Sequence, residues 1–281
     1  MVTLRSCIKL LTRPRIEMRH FSAAANTLTK VDVNSKTGVA VVSLNRPPVN
    51  GLNLELLQTL SQTLDDLEKN KCRGMILTSE MPTVFSAGLD IMEMYKPNQD
   101  RLKQFWVTLQ QTWLKLYGSS FPTVAAMNGH SPAGGCLLAL SCEYRVLVAP
   151  KSTIGLNETQ LGIIAPRWFM DSMRNVMGER QSELALTAGK MFTADEALRV
   201  GLVDELATDK ADAVAKAEAF LSTFAKIPAV ARNMTKLEFR KDTLDWLRNN
   251  QELDLKRFVD YTNQPKVQQG LELYLQSLKK K

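Results

Sequence analysis

The chain has 281 residues, of which 44% are hydrophobic and 23% are charged. This composition is typical of a globular enzyme and argues against a disordered or fibrous protein. No apolar run reaches the roughly 18 residues that a membrane span requires, and the four cysteines and two histidines show no metal-ligand or CxxC spacing. We therefore predict no metal site, no disulfide framework and no membrane span.

The net charge of +7 is concentrated near the two ends of the chain. Residues 1–30 carry +5 and the last eleven residues carry +2, so the body between them is close to neutral. The first segment is rich in Arg, Ser and Leu and poor in acids, which is typical of a mitochondrial transit peptide, and residues 19–22 (RHFS) resemble a matrix-processing site. We predict a transit peptide over residues 1–21 and a location in the mitochondrial matrix; a disordered basic arm is the alternative.

Strand and helix patterns alternate through the first part of the remaining chain. Runs of β-branched and apolar residues predict strands, and leucine or aromatic residues at helical spacing predict helices. In chain order these are a strand over 39–44, a helix over 54–67, a strand over 74–78, a helix over 101–117 and a strand over 123–127. The alternation predicts an α/β fold.

After Pro166 the strand signal nearly vanishes. Helices are predicted over residues 179–188, 194–200, 211–225, 230–236, 243–261 and 267–278. We therefore predict an α/β core over residues 31–225 and a helical region over residues 226–281.

Two segments carry the chemistry, residues 129–138 (GHSPAGGCLL) and 155–162 (GLNETQLG). The first is typical of a strand that ends in a glycine-rich turn whose backbone amides open an apolar helix. The second places one carboxylate, Glu158, in an otherwise uncharged loop. Amides that hold an oxyanion, together with one acid that moves a proton, favour chemistry on an activated carbonyl.

The candidate catalytic residue is Glu158. Beside an activated carbonyl, one carboxylate can remove a proton from carbon and return it to the same molecule, so a single side chain is sufficient. Such a base needs a raised pKa to act near neutral pH, and apolar neighbours would raise it by excluding water. These neighbours are Leu156, Leu161, Ile163 and Ile164. An exposed loop acid or a helix-capping partner is the alternative role for Glu158.

Four segments fall in the order and spacing of the crotonase (enoyl-CoA hydratase/isomerase) superfamily: residues 45–47 (NRP), 85–90 (FSAGLD), 132–136 (PAGGC) and 157–162 (NETQLG). The chain resembles this superfamily over roughly residues 31–281, and within it resembles most the mitochondrial Δ3,Δ2-enoyl-CoA isomerases. The resemblance implies a crotonase-like spiral of ββα turns, a homotrimer built partly through the C-terminal helices, and a fatty acyl-CoA substrate. It implies no cofactor, since coenzyme A is part of the substrate.

The resemblance also implies roles for individual residues. The two oxyanion-hole donors of the family correspond to the amides of Leu89 and Gly134. The residues implied to bind substrate are Ala87, Gly88, Asp90, Ile91, Leu137 and Phe258. Glycine at positions 88 and 134 lets the backbone approach a ligand closely. For Phe258, a place in the helical core or at an interface remains equally open.

Leu137 distinguishes between members of the superfamily. Hydratases of the superfamily have Glu directly after the same Gly-Gly-Cys turn, and that Glu helps to position water. The apolar Leu137 cannot orient or deprotonate water, so we predict isomerisation and poor hydration. The alternatives are an enoyl-CoA hydratase and a non-catalytic binding protein, for example one that binds RNA. The nearly neutral body argues against nucleic acid, because phosphate binding requires clustered Lys and Arg.

Overall fold

The structure, a computed structural model, describes residues 28–279, so the predicted transit peptide over residues 1–21 lies outside the described residues. The strands are β1 (Thr29–Val33), β2 (Val39–Leu44), β3 (Gly74–Ser79), β4 (Thr123–Met127), β5 (Ser131–Pro132), β6 (Tyr144–Val148), β7 (Thr153–Gly155), β8 (Phe192–Thr193) and β9 (Glu205–Ala207). The helices are α1 (Leu54–Lys69), α2 (Gln99–Tyr117), α3 (Gly134–Ser141), α4 (Arg167–Met177), α5 (Glu179–Ala188), α6 (Ala194–Arg199), α7 (Lys210–Ser222), α8 (Ala229–Thr262) and α9 (Pro265–Lys279). Over residues 28–279, no helix has the length and apolar character needed to cross a membrane.

The strands form two sheets within residues 28–279. The larger sheet has the order β1-β2-β3-β4-β6-β9, and the smaller one has the order β5-β7-β8. In the larger sheet β1 is antiparallel to β2, and the other pairs are parallel. β4 and β6 each lead into a short strand of the smaller sheet, and β5 leads on into α3. The succession β4, β5 and α3 is a ββα turn of the kind that the resemblance implies.

The larger sheet is covered on both faces, as is usual where strands run parallel. Every residue of β3 and β4 is buried. On one face the sheet packs against α7 through Ala213, Ala217 and Leu221. The other face contributes to the main core, which includes buried residues of α1, α2, α3 and α4. The cavity described below lies on this second side, where helices rather than strands supply most of its wall.

The predicted elements are largely confirmed, with several corrections. The strands β1 and β7 were not predicted. The strand Tyr144–Val148 and the helix Arg167–Met177 are present although they were not predicted. Two short strands, Phe192–Thr193 and Glu205–Ala207, follow Pro166. They are too short for a periodic signal and depend on pairing with β7 and β6.

The two predicted helices over 230–236 and 243–261 are one helix, α8, which is kinked at Asn250. The intervening residues remain helical because Arg240 is buried and donates to the carbonyl oxygens of Tyr117 and Ser141, both at 2.8 Å. At the kink, the Asn250 side chain donates to the Trp246 carbonyl at 2.7 Å. Such a bond competes with the regular helical pattern.

The cations of α8 anchor it to the ends of two core helices. Lys236 donates to the carbonyl oxygens of Ser119 and Phe121, just beyond the end of α2, while Arg240 reaches the last residues of α2 and α3. The C-terminal end of a helix carries partial negative charge and unpaired carbonyls, so cations are favoured there. This anchoring fixes the first half of α8, and the second half extends over the cavity.

Candidate active site

The glycine turn presents a backbone amide at the start of α3. β5 leads through Ala133 into Gly134, the first residue of the helix. Ala133 has a φ of 48° and a ψ of −119°, an unfavourable conformation for a residue with a Cβ, and its amide donates to the Gly155 carbonyl at 2.8 Å. Strained backbone of this kind is concentrated at functional sites. The turn directs the Gly134 amide away from the helix, where it has no intrahelical acceptor.

A second backbone segment, residues 85–90, packs against this turn. Leu89 forms a bridge with Leu52, in which Leu52 donates to the Gly88 carbonyl and Asp90 donates to the Leu52 carbonyl. The Leu89 amide therefore points to the other side of the segment. Gly88 has a φ of 89°, and a Cβ on it would lie 2.9 Å from the Ala133 Cβ and 3.0 Å from the Gly134 nitrogen.

The two predicted oxyanion donors thus meet at one place. A Cβ on Gly134 would lie 3.1 Å from the Leu89 nitrogen, so each segment approaches the other at a position that only glycine can occupy without crowding. Within residues 28–279, neither the Leu89 nor the Gly134 amide donates to a backbone acceptor in a turn, loop or cap. Two free amide donors at a helix N-terminus form a site suited to an oxyanion.

Glu158 begins the short 3-10 helix Glu158–Leu161 and is 8% exposed. Both of its carboxylate oxygens are buried and have no hydrogen-bond partner among the described residues. Burial raises the pKa of Glu158 to about 7, and the amide of its own backbone opposes this shift only in part. The charge of Glu158 adds to the burial that raises the pKa of the Cys136 thiol, which places Glu158 near the first turn of α3.

These groups border a cavity of about 400 Å³. Its wall is mainly apolar and includes Ile91, Met94, Trp106, Phe169, Met170 and Phe258. Polar groups at the wall include Asn157, Glu158, Asp254, Arg167, Arg257 and Tyr261. The Asn157 Oδ1 atom is also buried without a partner among the described residues. An apolar cavity with a few convergent polar groups is the usual form of a small-molecule site.

The structure brings most of the predicted site residues to this cavity. Ala87, Leu89, Ile91, Glu158 and Phe258 line it, and Gly88 and Gly134 form the backbone contact beside it. Of the predicted apolar neighbours of Glu158, Leu161 and Ile163 line the cavity and Leu156 is buried behind it, whereas Ile164 is 65% exposed at its edge.

Asp90 and Leu137, both predicted to bind substrate, do not line the cavity. The Asp90 carboxylate forms an ion pair with Arg46 at 2.8 Å and accepts from the Met92 amide at 3.0 Å. Leu137 is fully buried in the core. Their side chains support the loop and α3 rather than lining the cavity.

Sequence reasoning missed Trp106, Phe169 and Asp254 as site residues. Trp106 lies on the predicted apolar face of α2, where an aromatic side chain is normally core. Asp254 could have been found from the sequence. It is an acid seven residues after Leu247 and four before Phe258, a spacing that places all three on one face of α8. A carboxylate on a buried helix face needs a partner or a function, and that could have identified it.

Known proteins resemble this chain over most of its length. The chain matches the family model described as enoyl-CoA hydratase/isomerase over residues 34–281. Mitochondrial enoyl-CoA delta isomerase 1 of Mus musculus is 46% identical over 260 residues, covering 92% of this chain and 89% of the relative. The Homo sapiens protein of the same name is 43% identical over 251 residues, covering 89% and 83%.

Solved structures extend the comparison to the fold. Human mitochondrial delta3-delta2-enoyl-CoA isomerase superposes with a TM-score of 0.88 at 42% identity, covering 90% of this chain and 99% of that one. An enoyl-CoA hydratase from Bacillus halodurans gives a TM-score of 0.79 at 22% identity, covering 88% and 100%. At 22% identity, the similarity to the Bacillus halodurans protein shows a shared fold and nothing about activity.

Proposed function

The chain belongs to the enoyl-CoA hydratase/isomerase family, and from this premise we propose that it converts 3-cis- and 3-trans-enoyl-CoA to 2-trans-enoyl-CoA in the β-oxidation of unsaturated fatty acids. The observation that carries the proposal is the placement of Glu158. Its two unpartnered carboxylate oxygens border the same cavity as Leu89 and the turn before Gly134. Relatives from mouse and human bear the name of an enoyl-CoA delta isomerase.

In the proposed mechanism, the thioester oxygen accepts hydrogen bonds from the Leu89 and Gly134 amides. Glu158 removes a proton from C2, so the C2–H bond breaks, an O–H bond forms on Glu158, and the electron pair delocalises onto the thioester oxygen as a dienolate. The same carboxyl group then returns the proton to C4, which leaves the double bond between C2 and C3. Each well-placed amide donor is worth about 3 kcal/mol in the transition state.

The burial of Glu158 favours both the removal of the proton from C2 and its delivery to C4. A pKa of about 7 makes the carboxylate a stronger base than an exposed glutamate while leaving part of it ionised at neutral pH. Because neither oxygen bonds to another described residue, no neighbouring group competes for the proton between its removal from C2 and its delivery to C4.

Hydration is disfavoured because a second acid suitable for activating water is missing from the described wall. Among the described residues that line the cavity, the carboxylates are Glu158 and Asp254. Asp254 accepts hydrogen bonds from Trp106, Gln110 and Trp168 on its Oδ2 atom, which holds it in the aromatic part of the wall beside Trp106. Leu137, the residue at the position of the hydratase acid, is buried in the core.

The wider setting is also proposed. The composition of residues 1–21 and the mitochondrial relatives support a location in the mitochondrial matrix. Exposed apolar side chains on the first half of α8, Val230, Met234 and Phe239, support a homotrimer built through the C-terminal helices. The substrate brings its own coenzyme A, and the proposed chemistry needs no further cofactor.

The function is tested by incubating the purified protein separately with 3-hexenoyl-CoA and 2-hexenoyl-CoA. Formation of the conjugated thioester is followed by ultraviolet absorbance, and the products are separated by chromatography. We expect rapid conversion of the first substrate and negligible hydration of the second. Fast hydration would instead support the hydratase alternative, and no turnover of either substrate would support a binding protein.

The matched variant is Glu158→Gln, which keeps the shape of the side chain and removes the base. We expect kcat to fall by about 10²–10⁴-fold, the usual contribution of a general acid or base. Circular dichroism and thermal unfolding serve as the folding control. Full activity in this variant would refute the single-glutamate mechanism.

A further inference from the structure

Asp254 joins three helices at the wall of the cavity. It lies on α8 and is buried, and its Oδ2 atom accepts three hydrogen bonds. The donors are the Trp106 indole at 2.7 Å and the Gln110 amide at 2.8 Å, both from α2, and the Trp168 indole at 3.2 Å from α4. One carboxylate oxygen therefore fixes the relative positions of α2, α4 and α8.

Holding helices together through a buried carboxylate costs free energy, because the carboxylate loses its hydration. Among the ion pairs formed by described residues, none includes Asp254, so neutral donors alone offset the loss of hydration. Apolar side chains can fill buried positions of this kind at equal or lower cost to stability. The hydrogen bonds to Asp254 also fix the orientation of the three N–H groups, and apolar packing alone would not do so.

The group that Asp254 directs most closely is part of the cavity wall. Trp106 is 2% exposed and stacks on Phe258, with ring centroids 3.6 Å apart and ring planes 9° apart. It also lies nearly parallel to Phe169, at a centroid distance of 6.4 Å. All three aromatic residues line the cavity, and Trp106 and Phe169 are buried, so this part of the wall is closed to solvent. In contrast, the exposed Ile164 marks its open side.

A closed aromatic end suits hydrocarbon, whereas the amides and phosphates of coenzyme A need polar partners and solvent. Stacking alone allows an indole to slide in its plane, but a hydrogen bond from its N–H group restricts that movement. On the basis of the proposed function, we propose that Asp254 is a positioning residue that holds the Trp106 indole as the end wall of the acyl cavity. The enzyme thereby limits the length of acyl chain that it isomerises efficiently.

The test compares the chain-length preference of four variants. Trp106→Leu opens the wall, Trp106→Phe keeps a ring but removes the N–H group, and Asp254→Asn removes the carboxylate at nearly constant volume. The matched control is Trp113→Phe, since Trp113 is buried on the same helix, has an indole N–H without a described partner and does not line the cavity. For each, kcat and KM are measured with 3-hexenoyl-CoA and 3-tetradecenoyl-CoA.

We expect the ratio of kcat/KM for the longer substrate to that for the shorter one to rise by about fourfold or more in Trp106→Leu. This is the gain from burying one further methylene group. Trp106→Phe raises the ratio mainly through KM because it removes the indole N–H donor. Asp254→Asn raises the ratio in the same way by a smaller factor, because the Asn amide oxygen still accepts a hydrogen bond but carries no charge. Trp113→Phe keeps the wild-type ratio.

An unchanged ratio in Trp106→Phe and Asp254→Asn would overturn the proposal, as would an equal shift in Trp113→Phe. If Asp254→Asn does not fold, the ratio of kcat/KM values measured for Trp106→Phe is sufficient to test the proposal. Failure of the proposed function is recognised separately, because no variant would then isomerise either substrate. In that case the ratio of dissociation constants for saturated hexanoyl-CoA and tetradecanoyl-CoA, measured by calorimetry on the same proteins, decides whether Trp106 and Asp254 limit the acyl cavity.

Discussion

The environment of Glu158 determines how the protein responds to pH. Burial raises its pKa to about 7 from an ordinary value of 4.5, so the folded protein holds this proton more tightly than the unfolded chain does. The resulting contribution to stability is fully present below about pH 4.5 and is lost as the pH rises through about 7. Catalysis has the opposite dependence, since the base must be ionised to remove the C2 proton.

We therefore predict that kcat/KM for 3-hexenoyl-CoA rises with pH along a single titration with an apparent pKa near 7. We also predict that Glu158→Gln, which cannot ionise, gains about 2.5 kcal/mol in unfolding free energy relative to the wild type between pH 5 and pH 8, as the pKa difference implies. Urea unfolding at both pH values measures this change. An activity profile that titrates near pH 4.5, or a stability difference independent of pH, would contradict the assignment.

Gly88 tests the backbone geometry of the oxyanion site. A Cβ on Gly88 would crowd the Ala133 Cβ and the Gly134 amide, at 2.9 and 3.0 Å. We predict that Gly88→Ala lowers kcat by about 10²–10³-fold, because displacement of a donor removes its transition-state hydrogen bond. Steady-state kinetics with 3-hexenoyl-CoA provide the measurement.

The control for that substitution is Gly201→Ala. Gly201 also has a positive φ, of 73°, but nothing lies within 4 Å of its Cβ position. Both variants carry similar backbone strain, so only Gly88→Ala is expected to lose activity well beyond any loss of stability. Equal losses of kcat in the two would show that strain, and not crowding of the amides, is responsible.

At the scale of elements, α8 both stabilises the fold and positions residues of the candidate site. Its first half binds the carbonyls that follow α2 through Lys236, which also forms a 3.0 Å ion pair with Glu143. Its second half places Asp254 and Phe258 at the cavity wall. Both sets of contacts belong to one kinked helix. A substitution that weakens the contacts of its first half is therefore expected to displace Asp254 and Phe258 at the cavity wall as well.

We predict that Lys236→Met destabilises the protein by about 3 kcal/mol, since it leaves the Ser119 and Phe121 carbonyls and the Glu143 carboxylate without this buried donor. Lys241→Met on the same helix removes an exposed ion pair with Asp245 and should cost much less, because solvent screens exposed pairs. Urea denaturation of both variants gives the comparison. A similar loss in the two would show that the buried cation does not anchor α8.

At the scale of the whole molecule, the helical C-terminal region presents an apolar surface. Phe239 is 87% exposed, and Val230 and Met234 are also exposed on the same helix. Val230 and Met234 lie one turn apart on one face of α8 and Phe239 lies on another face, and large apolar side chains this exposed indicate contact with other chains. The proposed homotrimer would bury this surface between copies of the chain.

We predict that Phe239→Glu shifts the protein from a trimer toward monomers, because a charge at a packed interface loses hydration without a partner. Analytical ultracentrifugation at several concentrations measures the mass. Val33→Glu, a change at an exposed apolar position of β1, is the control and should leave the mass unchanged. A monomeric wild type, or a trimer that persists in Phe239→Glu, would contradict the proposed assembly.

The sequence alone determined the alternation of strands and helices, the helical C-terminal region and the family, because local periodicity and four motifs in register are carried by residues close together in the chain. It also pointed to Glu158, the one carboxylate of an uncharged loop, as the candidate base. The tertiary structure decided what depends on distant contacts. Leu137 and Asp90 do not line the cavity, residues 237–242 continue a helix because Arg240 meets the ends of α2 and α3, and Asp254 of α8 meets Trp106 of α2. Burial and hydrogen bonding between segments more than a hundred residues apart leave little trace in local pattern, and those contacts shape the cavity wall.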